Sequence, residues 1–215
     1  MSIVSRPFRL GVLGSGQGSN FVAIAAAIAA GAVPAEVALV LSDVENAGIL
    51  AHARSRGIPA VFVPPGPFRT KLDATAEHAA VGALRAAAVD LVVLAGFMRV
   101  LKAGFLEAFA GRMVNIHPSL LPAFPGLAAW KQALDCGVKV TGCTVHFVDA
   151  GLDSGPIIGQ RAVPVLETDT AETLHQRIHA AEHTLYPACV AALARGDVMV
   201  RGRTVQLRSA PLAAW

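Results

Sequence analysis

The chain has 215 residues, 54% of them hydrophobic and 15% charged. That length and apolar content suit one large domain or two small ones with a full core, and exclude a disordered chain. Eighteen Lys and Arg against 15 Asp and Glu leave a net charge of +3, and these residues are too scattered to make a stripe for nucleic acid or an anionic membrane.

A mean hydropathy of +0.54 raises the question of a membrane span. The Ala-rich run Asn20 to Ala35 contains Gly31 and Pro34 and is followed by Glu36. It is too short and too weakly apolar to cross a bilayer and fits a buried helix. The first ten residues lack the basic and apolar regions of a secretory leader. Cys136, Cys143 and Cys189 form no C-x-x-C and read as buried reduced thiols, so a cytoplasmic protein is expected.

In chain order, Phe8–Leu13, Glu36–Leu41, Ala60–Val63, Asp90–Ala95 and Arg112–Ile116 read as buried strands. Between them Asn20–Ala30, Gly48–Arg56, Lys71–Ala88 and Lys102–Phe109 read as helices. Short apolar strands alternating with helices predict a parallel sheet covered on both faces. Two longer strands follow, Val140–Val148 and Pro156–Val165, then a helix over Thr170–Ala194 and a hairpin over Val198–Leu207. Arg195, Arg201, Arg203 and Arg208 make the tail locally basic, and alternation with Val and Gly there suggests that the hairpin is exposed. The expected fold is α/β, a doubly wound, mostly parallel, Rossmann-like sheet with an antiparallel extension in the C-terminal half. It is read as one domain over 1–215: a phosphate-binding half (1–110), a catalytic half (111–195) and a tail (196–215).

Four constellations could carry chemistry. Gly14-Ser-Gly-Gln-Gly-Ser-Asn20 joins the first strand to the first helix. Glycines let backbone N–H groups approach an anion, and the helix N-terminus adds positive charge. The spacing is neither that of a dinucleotide fold nor of a P-loop, and a tight turn capped by Asn20 or Ser19 explains it equally well. Asn115 and His117 lie two apart at a strand end before Pro118, so their side chains share a face. Such a pair can donate two hydrogen bonds to one oxygen, and the His can exchange a proton near neutral pH. Asp149 and Asp153 flank the next turn. Asp149 reads as a local turn residue, whereas Asp153 could orient His117 or relay a proton.

The fourth is His179-Ala-Ala-Glu182-His183 on the last long helix, with His175 one turn earlier. It matches H-x-x-E-H, the inverted zinc-protease pattern. A zinc hydrolase also needs a carboxylate well downstream, and only Asp197 follows. Glu182 therefore reads better as a polar substrate contact than as a base.

Taken in order, the glycine loop, Val93-Leu-Ala-Gly-Phe-Met-Arg99, Asn115-Ile-His-Pro-Ser-Leu-Leu-Pro122, Leu152-Asp-Ser-Gly-Pro156 and Glu182-His-x-x-Tyr-Pro187 resemble the phosphoribosylglycinamide formyltransferases, folate-dependent enzymes of purine synthesis. The resemblance runs from about residue 8 to about residue 195, and order and spacing carry it more than any single motif. It implies transfer of formyl from 10-formyltetrahydrofolate, as cosubstrate, to the amine of 5-phosphoribosylglycinamide, with no metal.

By the same resemblance Asn115, His117 and Asp153 are the catalytic trio, with Asp153 holding His117 cationic. Gly18, Ser19 and Asn20 take the substrate phosphate, and Glu182 takes the ribose. Met98, Arg99, Val100 and Leu101 line the folate pocket together with Asp149 and Asp153. Arg69 and Lys71 are candidate phosphate contacts. Met98 and Leu101 also read as ordinary core, and His146 as either a support for the site or a packed strand residue. Ala123, Ala128 and Ala129 stand where relatives often carry polar side chains. Both substrates are small molecules, and neither nucleic acid nor membrane is an expected partner of this monomer or homodimer.

Three rivals share parts of the pattern. A formyltetrahydrofolate hydrolase uses the same trio but carries an N-terminal regulatory domain. A methionyl-tRNA formyltransferase adds a C-terminal barrel, for which the residues after Ala194 are too few. A non-catalytic nucleotide-binding module would use the glycine loop and set Asp43 on a ribose, leaving Asn115, His117 and Asp153 unexplained.

Overall fold

The computed structural model describes residues 6–208. The leader question at residues 1–5 and the last seven residues of the tail lie outside that range. The chain divides into two compact units, Met1–Leu101 and Lys102–Trp215.

In the first unit the elements run β1 (Phe8–Leu13), α1 (Ser19–Ala29), β2 (Ala35–Ser42), α2 (Gly48–Arg54), β3 (Ala60–Phe62), α3 (Ala74–Ala86) and β4 (Leu91–Leu94). The strands lie parallel in the order β3-β2-β1-β4. Leu10 to Leu13 and all of β4 are buried without a break. Successive strand residues face opposite sides, so an unbroken buried run requires both sheet faces to be covered. This is the expected doubly wound arrangement. Because the strands are parallel, their carboxyl ends share one edge, and the loops after Leu13, Ser42, Phe62 and Leu94 emerge there. At the opposite edge Arg6 grips Asp90 with two bonds of 2.6 and 2.8 Å, and Arg9 pairs with Glu36.

The second unit contains α4 (Ala103–Ala108), β5 (Met113–His117), α5 (Ala129–Asp135), β6 (Val140–Phe147), β7 (Ile157–Pro164), α6 (Ala171–Ala194), β8 (Val198–Arg201) and β9 (Thr204–Leu207). Here β5, β6 and β7 are antiparallel, and β8 and β9 form the expected hairpin. Asn115 lies opposite His146 and His117 opposite Thr144. The Tyr186 hydroxyl, fully buried on α6, donates to the Val114 carbonyl at 3.1 Å and pins the helix to β5. Thr170 opens α6 with a capping box. Among the described residues no helix is long and apolar enough to cross a membrane.

The differences from the sequence reading are local. Helix α3 starts at Ala74 rather than Lys71, because the Asp73 carboxylate accepts the Ala76 N–H at 2.8 Å and caps it there. Helix α5 was not expected; seven residues lacking a side-chain cap give little periodic signal. Gly18 caps α1 in place of Ser19 or Asn20, both of which are helical. Cys143 and Cys189 are buried, and burial pushes the Cys143 thiol up to about 12 and raises that of Cys189 as well. Cys136 is exposed, against expectation, because it follows the last turn of the short α5.

Gly18 has φ +82°, and a Cβ there would meet Ile49 Cβ at 2.7 Å, whereas a Cβ on Gly16 would meet nothing within 4 Å. Gly18→Ala should therefore lower unfolding free energy by about 1–3 kcal/mol. Gly16→Ala should stay within about 0.5 kcal/mol of the parent. Urea unfolding of the two variants checks the difference.

Candidate active site

In the second unit, the carboxyl end of β5 brings Asn115 and His117 onto one face, two residues apart as the strand period requires. His117 is only 4% exposed, and both its ring nitrogens face oxygen. Nε2 lies 2.9 Å from the Phe124 carbonyl, and Nδ1 lies 3.3 Å from Asp153 Oδ2. A carbonyl can only accept, so Nε2 must donate to it. Nδ1 then meets the carboxylate favourably only if it too carries a proton, so the geometry suits a doubly protonated ring.

Asp153 stands at φ +49° in the turn between β6 and β7, a backbone state that Asp tolerates better than most residues. Its Oδ2 also accepts the Gly126 N–H at 2.8 Å, which fixes the carboxylate between two loops. Two residues later Gly155 passes so close to β6 that a Cβ would fall 1.8 Å from the Phe147 carbonyl oxygen. No other residue fits this return path. Asp149 behaves as the turn residue expected of it, accepting from Gly151 N at 3.0 Å and Ser154 Oγ at 2.7 Å.

His146, readable from sequence as either a support for the site or a packed strand residue, has a definite place in the structure. Its Nδ1 lies 2.8 Å from the Phe147 carbonyl, so Nδ1 carries the proton and Nε2 is left as an acceptor. That Nε2 meets Asn115 Nδ2 at 3.2 Å and lies 3.8 Å from Asp153 Oδ1. Burial lowers the pKa of His146, outweighing the opposing pull of the Phe147 carbonyl and Asp153. A neutral His146 therefore fixes which way the Asn115 amide points and leaves its second N–H for another acceptor. The signal was present, since residue 146 pairs with residue 115 once β5 and β6 are aligned, but the register was not readable from either strand alone.

In the first unit the glycine loop leads into α1, whose first turn holds no acidic residue. The strip after β4 runs beside the segment that follows β3. Val100 N donates to the Thr70 carbonyl at 2.8 Å, and Lys71 forms a parallel bridge with Val100. Arg69 and Lys71 thus sit next to Met98–Leu101, and the Lys71 ammonium lies 4.6 Å from the centre of the Phe68 ring. Met98 and Val100 are 58% and 62% exposed, so Met98 is not core. Ser15 Oγ accepts the Met98 N–H at 2.9 Å and ties this strip to the glycine loop. Each oxygen of Asp43 accepts from a protein donor and its side chain is 2% exposed, turned inward rather than toward the ribose that a nucleotide-binding module would set on it.

These arrangements agree with the kinship of the chain. Residues 8–190 match the formyl transferase family, and the chain belongs to it. Within that class, it is 48% identical over 204 residues to the phosphoribosylglycinamide formyltransferase of Mycobacterium tuberculosis, covering 94% of this chain and 93% of the relative. It is 47% identical over 194 residues to the trifunctional purine biosynthetic protein adenosine-3 of Drosophila melanogaster; that match takes in 89% of this chain but spans only 14% of the longer protein. Among solved structures, glycinamide ribonucleotide transformylase 1 from Symbiobacterium toebii aligns with a TM-score of 0.90 at 48% identity, over 94% of this chain and 95% of that one.

The histidines of α6 form a stack. The His175 ring lies flat on Trp130 with centroids 3.6 Å apart, His179 follows at 4.0 Å and His183 at 6.0 Å. Glu182 is buried, with Oε2 3.9 Å from His179 Nε2. Burial lowers all three histidine pKa values, and His179, repelled also by its two neighbours, falls to about 4.

A base with a lowered folded-state pKa takes up its proton more readily in the unfolded chain. Stability is therefore lost as pH falls below about 6.5 and the loss levels off below about 4. Replacing His179 with Gln should flatten the pH dependence of the urea midpoint across that window relative to the parent. Equal slopes for the two proteins would show that the stack does not titrate this way.

Proposed function

We propose that this protein transfers the formyl group of 10-formyltetrahydrofolate to the amine of 5-phosphoribosylglycinamide, yielding the N-formylated glycinamide and tetrahydrofolate in purine synthesis. The observation that carries this reading is the His117 imidazole, set beside Asn115 with Nε2 anchored on a carbonyl and Nδ1 facing the Asp153 carboxylate. Membership in the formyl transferase family and the near full-length identity to phosphoribosylglycinamide formyltransferases support it.

The geometry supports the following chemistry. The amine attacks the formyl carbon and the carbonyl becomes a tetrahedral oxyanion. Asn115, with one amide N–H held by His146, offers the other to that oxygen, and the positive charge of the His117 ring beside it favours the developing negative charge. Donors fixed before the charge develops bind the intermediate more strongly than the starting carbonyl. Asp153 balances the charge on His117 and accepts or relays the proton released by the attacking amine. The bond from carbon to N10 of the folate then breaks, and the departing nitrogen takes up a proton.

Binding roles are proposed on the same basis. Gly18, Ser19 and Asn20 take the phosphate at the start of α1, where backbone N–H groups and the helix dipole favour an anion. Glu182 takes the ribose hydroxyls. Met98, Arg99, Val100 and Leu101, with Asp149 and Asp153, hold the folate.

Purified protein should release tetrahydrofolate from 10-formyltetrahydrofolate only when the glycinamide is present, with a formylated product by mass. Release without the glycinamide would identify a hydrolase instead. His117→Ala and Asp153→Asn should each cut kcat by about 10²–10⁴ while unfolding stays cooperative. A parent-like rate in either variant removes that residue from the mechanism. Glu182→Gln should chiefly raise the KM for the glycinamide and leave that for the folate unchanged; two unmoved KM values would return Glu182 to a packing role.

A further inference from the structure

Asp43 follows β2 at its carboxyl end, and its side chain is 2% exposed. Oδ1 accepts from Ser15 Oγ at 2.5 Å, and Oδ2 accepts from Arg99 Nε at 2.6 Å. Ser15 carries the link onward, its Oγ accepting from Met98 N and its own N–H donating to the Gly96 carbonyl at 3.0 Å. Arg99 carries it to a third loop, donating from Nη1 to the Phe68 carbonyl at 2.5 Å. One buried carboxylate thus joins the glycine loop, the strip after β4 and the segment after β3.

Charge-assisted bonds of this length are strong and directional. Burying an ion pair is costly, and the best attested return on that cost is a fixed register. With its guanidinium drawn in toward Asp43, Arg99 contributes main chain rather than charge to the exposed side of the strip. A side chain too short to reach them would free Ser15 and Arg99 together, because each is held on a different oxygen of the same group.

We propose that Asp43 is a positioning residue for formyl transfer, holding the phosphate loop and the folate strip in one register so that both substrates lose affinity together when it is removed. This rests on the assignment of Gly18–Asn20 to the phosphate and Met98–Leu101 to the folate. Asp43 itself touches neither substrate.

The test compares Asp43→Ala, Asp43→Asn and Ser15→Ala by amide hydrogen exchange on the protein alone and by steady-state kinetics with both substrates. In Asp43→Ala, exchange should quicken at Ser15–Gly18 and at Met98–Val100 together. Both KM values should rise on the order of tenfold or more, with kcat within about threefold of the parent. Asn can accept from Arg99 and donate to Ser15 Oγ, so Asp43→Asn should recover part of both KM values. Ser15→Ala keeps the ion pair and reports on the link to Met98 if Asp43→Ala does not fold; its Met98 amide should exchange faster.

Faster exchange in one loop only, or KM values within about twofold of the parent in Asp43→Ala, overturns the proposal. A fall in kcat with unmoved KM values overturns it too, since Asp43 would then belong to the chemistry. If the parent transfers no formyl, the functional reading fails, while exchange in the two loops still decides whether one carboxylate holds both.

Discussion

The carboxylate of Asp153 is the constraint on which the arrangement at the carboxyl end of β5 depends. It sits at φ +49°, accepts a backbone N–H from Gly126 and faces Nδ1 of His117. The turn that presents it closes only because Gly155 lets the chain pass against Phe147. Loss of that fit would move the carboxylate away from the imidazole, and the imidazole would keep only its bond to Phe124. The Asn115 amide is fixed independently through His146, whose burial keeps it neutral. Two histidines a few ångströms apart thus play opposite electrical parts: one is placed to carry charge beside a carboxylate, the other is kept from carrying it.

The first unit follows a comparable logic with different groups. Parallel strands deliver all their following loops to one edge, but loops alone hold no fixed shape. Asp43, Ser15 and Arg99 supply the missing rigidity through bonds across three loops. In both units one acid organises the donors around it.

The alternation of apolar runs with Ala-rich segments was enough to read the parallel sheet, because period and length distinguish buried strands from helices when both repeat. The pairing of Asn115 with His117 was legible for the same reason, since a two-residue spacing on a strand fixes a shared face. His146 and Asp43 were not legible in this way. Their roles depend on strand register and on loops that meet in space, which a one-dimensional pattern does not encode. Helix α5 escaped notice because two turns give too few repeats, and the start of α3 was misplaced by one turn because a capping Asp weighs little against a run of helix-formers. The H-x-x-E-H match on α6 is too short a pattern to carry a reading by itself; in the structure its His179 ring lies tilted, 4.0 Å from His175, which in turn lies flat on Trp130.

The burial of Cys143 and Cys189 also bears on how the molecule meets its chemical surroundings. A thiol reacts with electrophiles and oxidants as its thiolate, and burial suppresses that form in both residues. Cys136, at the exposed end of α5, is the one described thiol that solvent reaches. A sequence with three cysteines therefore behaves toward alkylating reagents and peroxide as a protein with a single addressable sulfur, and a dye or spin label introduced by thiol chemistry would report from that helix end alone.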